Sequence, residues 1–194
     1  MPKKGYLLVM MEAPPALEEE FHAWYDTEHI PERLAVPGFE TGLRYVCIDG
    51  APRYLAMYDL ADPSVIESPA YLKVSFDQAS PWTKRVTSRV KVYRYAGEQV
   101  HPGNALTGRA ARIVLLRFRD LGPDDGKTVL TGMLSNFGNQ PETRQIRVFS
   151  HNCASGVDYF GMVEAGAPLN MKLDLEPFGA CAAGLDLVNT YVPY

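Results

Sequence analysis

An order of elements that occurs twice along the chain limits the folds open to it. In the first half, YLLVMMEA (Tyr6 to Ala13) has the composition of a strand. LEEEFHAWYDTEHI (Leu17 to Ile30) follows, with a helical stripe of Leu17, Phe21, Trp24 and Tyr25. GFETGLRYVCID (Gly38 to Asp49) and RYLAMYDL (Arg53 to Leu60) read as a strand pair turning at DGAP. A second helix is expected after Ser64, interrupted or begun afresh at Pro69, and SRVKVYRYAG (Ser88 to Gly97) closes the half as a strand. After HPGNALTG the order returns: a strand over Ala111 to Leu121 and a helix over Asp124 to Phe137. Strands at Thr143 to His151 and Val157 to Ala165 come next, then a helix over Leu169 to Ala183 made irregular by Pro177, and a last strand, Leu185 to Tyr194.

Each half therefore reads β-α-β-β-α-β, the ferredoxin-like order. A sheet with both helices on one face leaves its other face bare, and large apolar patches rarely stay exposed. The partner for each bare face is the other half. The expected fold is α+β: two ferredoxin-like repeats, residues 1–100 and 111–194 joined by a linker at 101–110, packed sheet to sheet around a barrel-like core within one chain.

Composition excludes several functions. A formal charge of −4 and the lack of a lysine- or arginine-rich run interleaved with aromatics argue against nucleic acid or a membrane surface as partner. The apolar run Tyr6 to Met11 is too short for a signal peptide or a membrane span. Cys47, Cys153 and Cys181 form no CxxC and read as reduced, mostly buried thiols of a cytoplasmic protein, and no zinc site is expected. Nucleotide-binding glycine patterns and a G-x-S-x-G nucleophile are missing as well.

The chemistry concentrates in WYDTEHIPERLAVPGF, Trp24 to Phe39. Tyr25, His29 and Arg33 share a helical face by spacing. Pro31 disfavours helical geometry at Ile30, so the helix is expected to end near His29, turning the imidazole toward the barrel mouth. His29 then serves as a general acid or base, or caps the last carbonyls of its helix. Tyr25 is a hydrogen-bond donor to a substrate oxyanion or a half-buried aromatic. Trp24 is core, and Arg33 clamps a carboxylate or pairs in solvent with Glu32 or Asp26. Glu28 points away from His29. His22 is expected to be exposed, and it lies more than about 10 Å along the helix from His29, too far for a shared metal. Strand alternation puts Tyr54, Ala56 and Tyr58 on one face, and Arg44, Val46 and Ile48 on one face of the neighbour, where Arg44 reaches solvent or binds an anion. Phe76 and Trp82 form a lid over an aromatic ligand or anchor their loop. His101 and His151 are expected to face solvent.

The residues W-Y-D-T-E-H-I-P-E-R (Trp24 to Arg33) with V-P-G-F (Val36 to Phe39) resemble the EthD-like members of the dimeric α+β barrel superfamily. P-R-Y-L-A-M-Y (Pro52 to Tyr58), S-P-A-Y (Ser68 to Tyr71) and P-W-T (Pro81 to Thr83) extend the resemblance across about the first hundred residues. It implies a small-molecule pocket faced by His29, and a cofactor-free, metal-free monooxygenase, decarboxylase, cyclase or isomerase acting on aromatic or polyketide-like carbonyl compounds. His29 and Tyr25 are the catalytic candidates, with Trp24, Arg33, Arg44, Tyr58, Phe76 and Trp82 around the substrate. The alternatives are a non-catalytic ligand-binding or accessory protein of an oxygenase system, and a haem protein like some distant relatives. The second half lacks the motif, so one site per chain is expected; whether the fused chain pairs again as a homodimer stays open.

Overall fold

The computed structural model describes residues 3–194. Eight strands make one closed antiparallel barrel: β1 (Gly5–Glu12), β2 (Leu43–Asp49), β3 (Tyr54–Leu60), β4 (Lys91–His101), β5 (Arg112–Leu121), β6 (Thr143–Cys153), β7 (Gly156–Ala165) and β8 (Leu185–Pro193). Their order around the barrel is β1-β3-β2-β8-β5-β7-β6-β4. The first half thus contributes β4-β1-β3-β2 and the second β8-β5-β7-β6, the same spatial order. The bare faces do meet, but the edges meet too: β2 pairs with β8 and β4 with β6. Closure removes the free sheet edges that two merely stacked sheets would keep.

Alternation sorts the strand residues into three cores. Inside the barrel lie Tyr6, Leu8, Met10, Leu55, Met57, Phe149, Phe160 and their neighbours. Outside it, Leu7, Val9, Met11, Tyr54, Ala56 and Tyr58 pack under the helices of the first half. Val114, Leu116, Phe118, Val148 and Val163 do so in the second. β3 is buried along its whole length because both of its faces are covered.

The barrel interior ends in an ionic network that joins the halves. Asp59 of β3 and Arg147 of β6 are fully buried and 2.8 Å apart, and Arg147 also reaches Glu164 of β7 at 2.9 Å. The linker closes this end. β4 runs through His101, so the connection proper starts one residue later than the sequence reading put it. Thr107 N–H donates to Asp59 and Gly108 N–H to Glu164, while the Gln99 amide holds Gly103 and Ala105.

The helices depart furthest from the sequence reading. The first is α1 (Glu18–Trp24), a π turn (Tyr25–His29) and α2 (Ile30–Leu34) in continuous helical geometry. It does not end at His29. Ile30 N–H donates to the Tyr25 carbonyl, and this widened turn accommodates Pro31, which has no N–H and would crowd the carbonyl four residues back in a regular α-helix. The expected helix after Ser64 is a chain of short turns. Pro63, Pro69 and Pro81 each begin one, preceded by Asp62, Ser68 and Ser80, whose side chains accept from Ser64, Tyr71 and Thr83 N–H. Two of these turns are α3 (Pro69–Leu72) and α4 (Pro81–Thr87).

In the second half, α5 (Gly126–Phe137) forms as expected. The helix expected over 169–183 is only a 3₁₀ segment, Glu176–Gly184, broken where Gly179 takes φ 52°. It packs tightly enough that a Cβ on Gly132 of α5 would sit 2.1 Å from the Phe178 ring. Cys181 is buried, Cys47 and Cys153 are half-buried, and all three are free thiols. No helix among the described residues is long and apolar enough to cross a membrane.

Candidate functional site

The π turn places Tyr25 and His29 against the outer face of β1 and β3, not at the barrel mouth. The His29 ring lies 4.2 Å from Trp24 and 5.3 Å, edge-on, from Tyr25. It is 9% exposed, and its Nδ1 has no hydrogen-bond partner. Tyr25 donates to the Met11 sulfur, at 3.6 Å, a weak acceptor, and its phenol neighbours that of Tyr58. Tyr58, on the strand below, is fully buried with an unpartnered hydroxyl. Buried polar atoms in native proteins are seldom left so.

Electrostatics set the protonation states. Burial, aided by Arg33 and Arg44, holds His29 well below its ordinary pKa, so near neutrality it is a neutral imidazole. Burial pushes the Tyr25 and Tyr58 phenols up, and both stay protonated. The cluster therefore offers hydroxyl donors and a neutral imidazole. Burial and the two arginines oppose protonation of this imidazole, so it is a weaker proton acceptor than a solvated histidine.

The arginines around the cluster are more buried than expected. Arg33 is 5% exposed and, instead of forming a solvated ion pair, donates to the Val74 carbonyl at 2.8 Å; its contact to Glu32 is 3.4 Å. Its guanidinium also lies 5.2 Å over the Tyr71 ring. Arg44 reaches Asp26 at 2.6 Å and His22 Nδ1 at 2.7 Å, between the rings of Tyr25 (4.4 Å) and Tyr194 (3.9 Å). His22 is thus half-buried rather than exposed, stacked on Tyr194 at 4.4 Å. An arginine can only donate, so His22 Nδ1 accepts, and burial together with Arg44 lowers its pKa. His101 and His151 are half-buried as well, His151 with Nδ1 2.8 Å from the Ala96 carbonyl.

The structure thus brings Trp24, Tyr25, His29, Arg33, Arg44 and Tyr58 together and leaves two expected residues apart. Phe76 is 64% exposed with φ 50°, facing Arg94 and the edge of Tyr71. Trp82 packs at the margin of the outer core, and its indole N–H donates to Glu20 at 3.1 Å in a groove between α1 and α4. Tyr71, Arg94 and Gly42 adjoin the cluster and had no role in the sequence reading. Tyr71 belongs to the quoted S-P-A-Y, so a signal was present; for Gly42 and Arg94 no local pattern marks one. Glu28, whose carboxylate accepts from Ser80 and Thr83, fastens the helix to α4 and does not touch His29.

A haem needs an axial ligand with an open face beside a broad apolar slot. His29 is covered by Trp24, His22 is stacked on Tyr194 and packed against Tyr54, and the groove beside His151 is walled by Lys3, Glu98, Asp124 and Lys127. The residues present do not fit a haem. The ligand-type atoms that converge within 4.8 Å, from Asp120, Cys153 and Asp158, lie in the second half and outside this cluster.

The architecture is that of the dimeric α+β barrel proteins, closed here within one chain. No family model and no curated protein sequence matches. Among solved structures, an anthrone oxidase-like protein superposes with TM-score 0.73 at 12% identity, over 100% of this chain and 92% of that one. A haem-binding protein from Thermus thermophilus gives 0.58 at 10%, over 100% and 93%. A monooxygenase-like protein from Lactobacillus acidophilus gives 0.56 at 10%, over 98% and 94%. Identities this low establish the shared fold and leave activity to the residues themselves.

Proposed function

We propose that the chain is a cofactor-independent enzyme that moves a proton next to the carbonyl of a small aromatic or polyketide-like compound, at the cluster of His29, Tyr25 and Tyr58. The reaction class is decarboxylation, cyclisation, isomerisation or oxygenation of the resulting anion. One observation carries this reading: His29 Nδ1 and the Tyr58 hydroxyl are both buried and unpartnered, and both residues neighbour Tyr25. Each such group costs about 1–3 kcal/mol when left unmade, and a ligand supplying an acidic C–H or O–H and a carbonyl oxygen recovers that cost. In this scheme a phenol donates to the developing oxyanion and His29 takes the proton. The names of the anthrone oxidase-like and monooxygenase-like neighbours agree with chemistry of this kind.

The site is proposed as single. On α5 the buried positions are Gly126, Val129, Gly132, Met133 and Phe137, none of them ionisable. Matching strand order supports reading residues 1–100 and 111–194 as two ferredoxin-like repeats, the second without the motif.

The test is deuterium exchange at the α-carbon of an aryl ketone such as 2-tetralone, followed by NMR. His29→Ala and Tyr58→Phe are each expected to slow enzyme-dependent exchange about 10²-fold or more. Exchange unchanged in His29→Ala removes that residue from the chemistry. Ketone binding without exchange in the wild type favours the non-catalytic binder. The fold shared with the Thermus thermophilus protein makes haem the other competitor, and a Soret band growing on haem titration would favour it over the present reading.

A further inference from the structure

We propose that the hollow at the β2–β8 seam binds the carboxylate of a small aryl acid, with Arg109 as its anchor, and that it is the mouth leading to Tyr58. The hollow measures 360 Å³ and is lined by Gly42, Arg44, Tyr45, Arg109 and Tyr194 among others. Its two guanidiniums differ. Arg44 is committed to Asp26 and His22. Arg109, at the end of the linker, is exposed, and its side chain has no hydrogen-bond or ion-pair partner among the described residues. In a chain of net charge −4, an unpaired arginine in a concavity is a ready carboxylate partner.

A second donor lies deeper, on Tyr45 in the wall of the hollow. Tyr45 is 3% exposed and its hydroxyl is unpartnered. Burial, then the nearby Glu164, keeps that phenol protonated, so it can only donate to an anion. No carboxylate side chain lines the hollow: besides Arg44 and the Tyr194 hydroxyl the lining is apolar side chain and glycine, and Glu164, near Tyr45, is taken up by Arg147 and Gly108 N–H. The half-exposed Tyr194 ring, with Leu43 and Pro193, offers a flat apolar wall for an aryl body.

Gly42 makes the hollow a mouth. A Cβ built on it would lie 3.3 Å from both the Tyr58 ring and Leu34, so only a glycine separates the hollow from the ring that carries the unpartnered phenol. A ligand whose carboxylate rests on Arg109 would direct its far end toward Tyr58. This last step rests on the reading of Tyr58 and His29 as the reaction site; anion binding at Arg109 does not.

Calorimetric titration of the full chain with 1-naphthoate and with its uncharged analogue 1-naphthamide tests the inference. The acid is expected to bind about tenfold or more tightly than the amide, as one charge-assisted contact predicts. Arg109→Gln should erase that preference, Arg109→Lys keep part of it, and Tyr45→Phe weaken acid binding severalfold. No acid binding to the wild type, equal binding of acid and amide, or an unaltered preference in Arg109→Gln overturns the proposal. If Arg109→Gln erases the preference while His29→Ala leaves ketone exchange intact, only the proton-transfer reading fails. The reverse pair of results sinks only the anion site.

Discussion

A histidine kept neutral by burial ties His29 to stability as well as to chemistry. Its folded pKa lies well below the ordinary value, whereas in the unfolded chain it titrates near about 6.5. Below that pH the unfolded chain takes up a proton that the folded chain refuses, so stability is full above about 6.5 and falls as the pH drops toward the folded value. His29→Gln is expected to flatten the loss of unfolding free energy between about pH 7 and 5, by at most about 1.4 kcal/mol per pH unit. A residual slope should persist, because burial lowers His22 and His101 in the same direction. Urea denaturation at several pH values reads the difference. Tyr58→Phe carries the opposite trade: deleting an unpartnered buried hydroxyl should raise stability by about 1 kcal/mol while weakening ketone binding. Alternation alone puts Tyr54, Ala56 and Tyr58 on one strand face, and the three do share a face, the one beneath the helices. That its hydroxyl would lack a partner was not legible, since this depends on what helix residues twenty-five or more positions upstream bring to it.

At the scale of elements, the helix through Pro31 shows where local rules stop. Proline chemistry marks the right stretch but not the outcome: Ile30 stays helical at φ −64°, and the disturbance is the π turn before it, because a tertiary environment that buries Phe21, Trp24, Tyr25, His29 and Arg33 along one side favours bending the hydrogen-bond pattern over ending it. Pro31→Ala supplies the missing N–H and permits an ordinary α-helix. It is expected to raise unfolding free energy, with about 3 kcal/mol as the ceiling set by helix propensity, and to rotate His29 relative to Tyr25. Slower ketone exchange together with higher denaturant resistance is the outcome that fits; unchanged exchange would separate the π turn from the chemistry. Strands were read within a few residues because their alternation is local. The segment 169–183 misled for an equally plain reason: apolar spacing suggested a helix, whereas Pro177 and the positive φ of Gly179 permit only short 3₁₀ turns.

For the whole molecule, the Asp59–Arg147–Glu164 network is the joint most open to test. Arg147→Met leaves two buried carboxylates without their cation and is expected to cost about 3–5 kcal/mol, measured by chemical denaturation. A loss under about 1 kcal/mol would mean that the carboxylates protonate or reach water without harm. The repeated order of elements made the barrel core legible from sequence. It did not reveal that the edges would join or that the linker would donate to the network, because neither depends on a nearby pattern. Edge closure has a further consequence. Where two separate chains build such a barrel, its integrity depends on their encounter and hence on protein concentration. Here β2 meets β8 and β4 meets β6 along one covalent chain, so the partner is always at hand and dilution has nothing to pull apart.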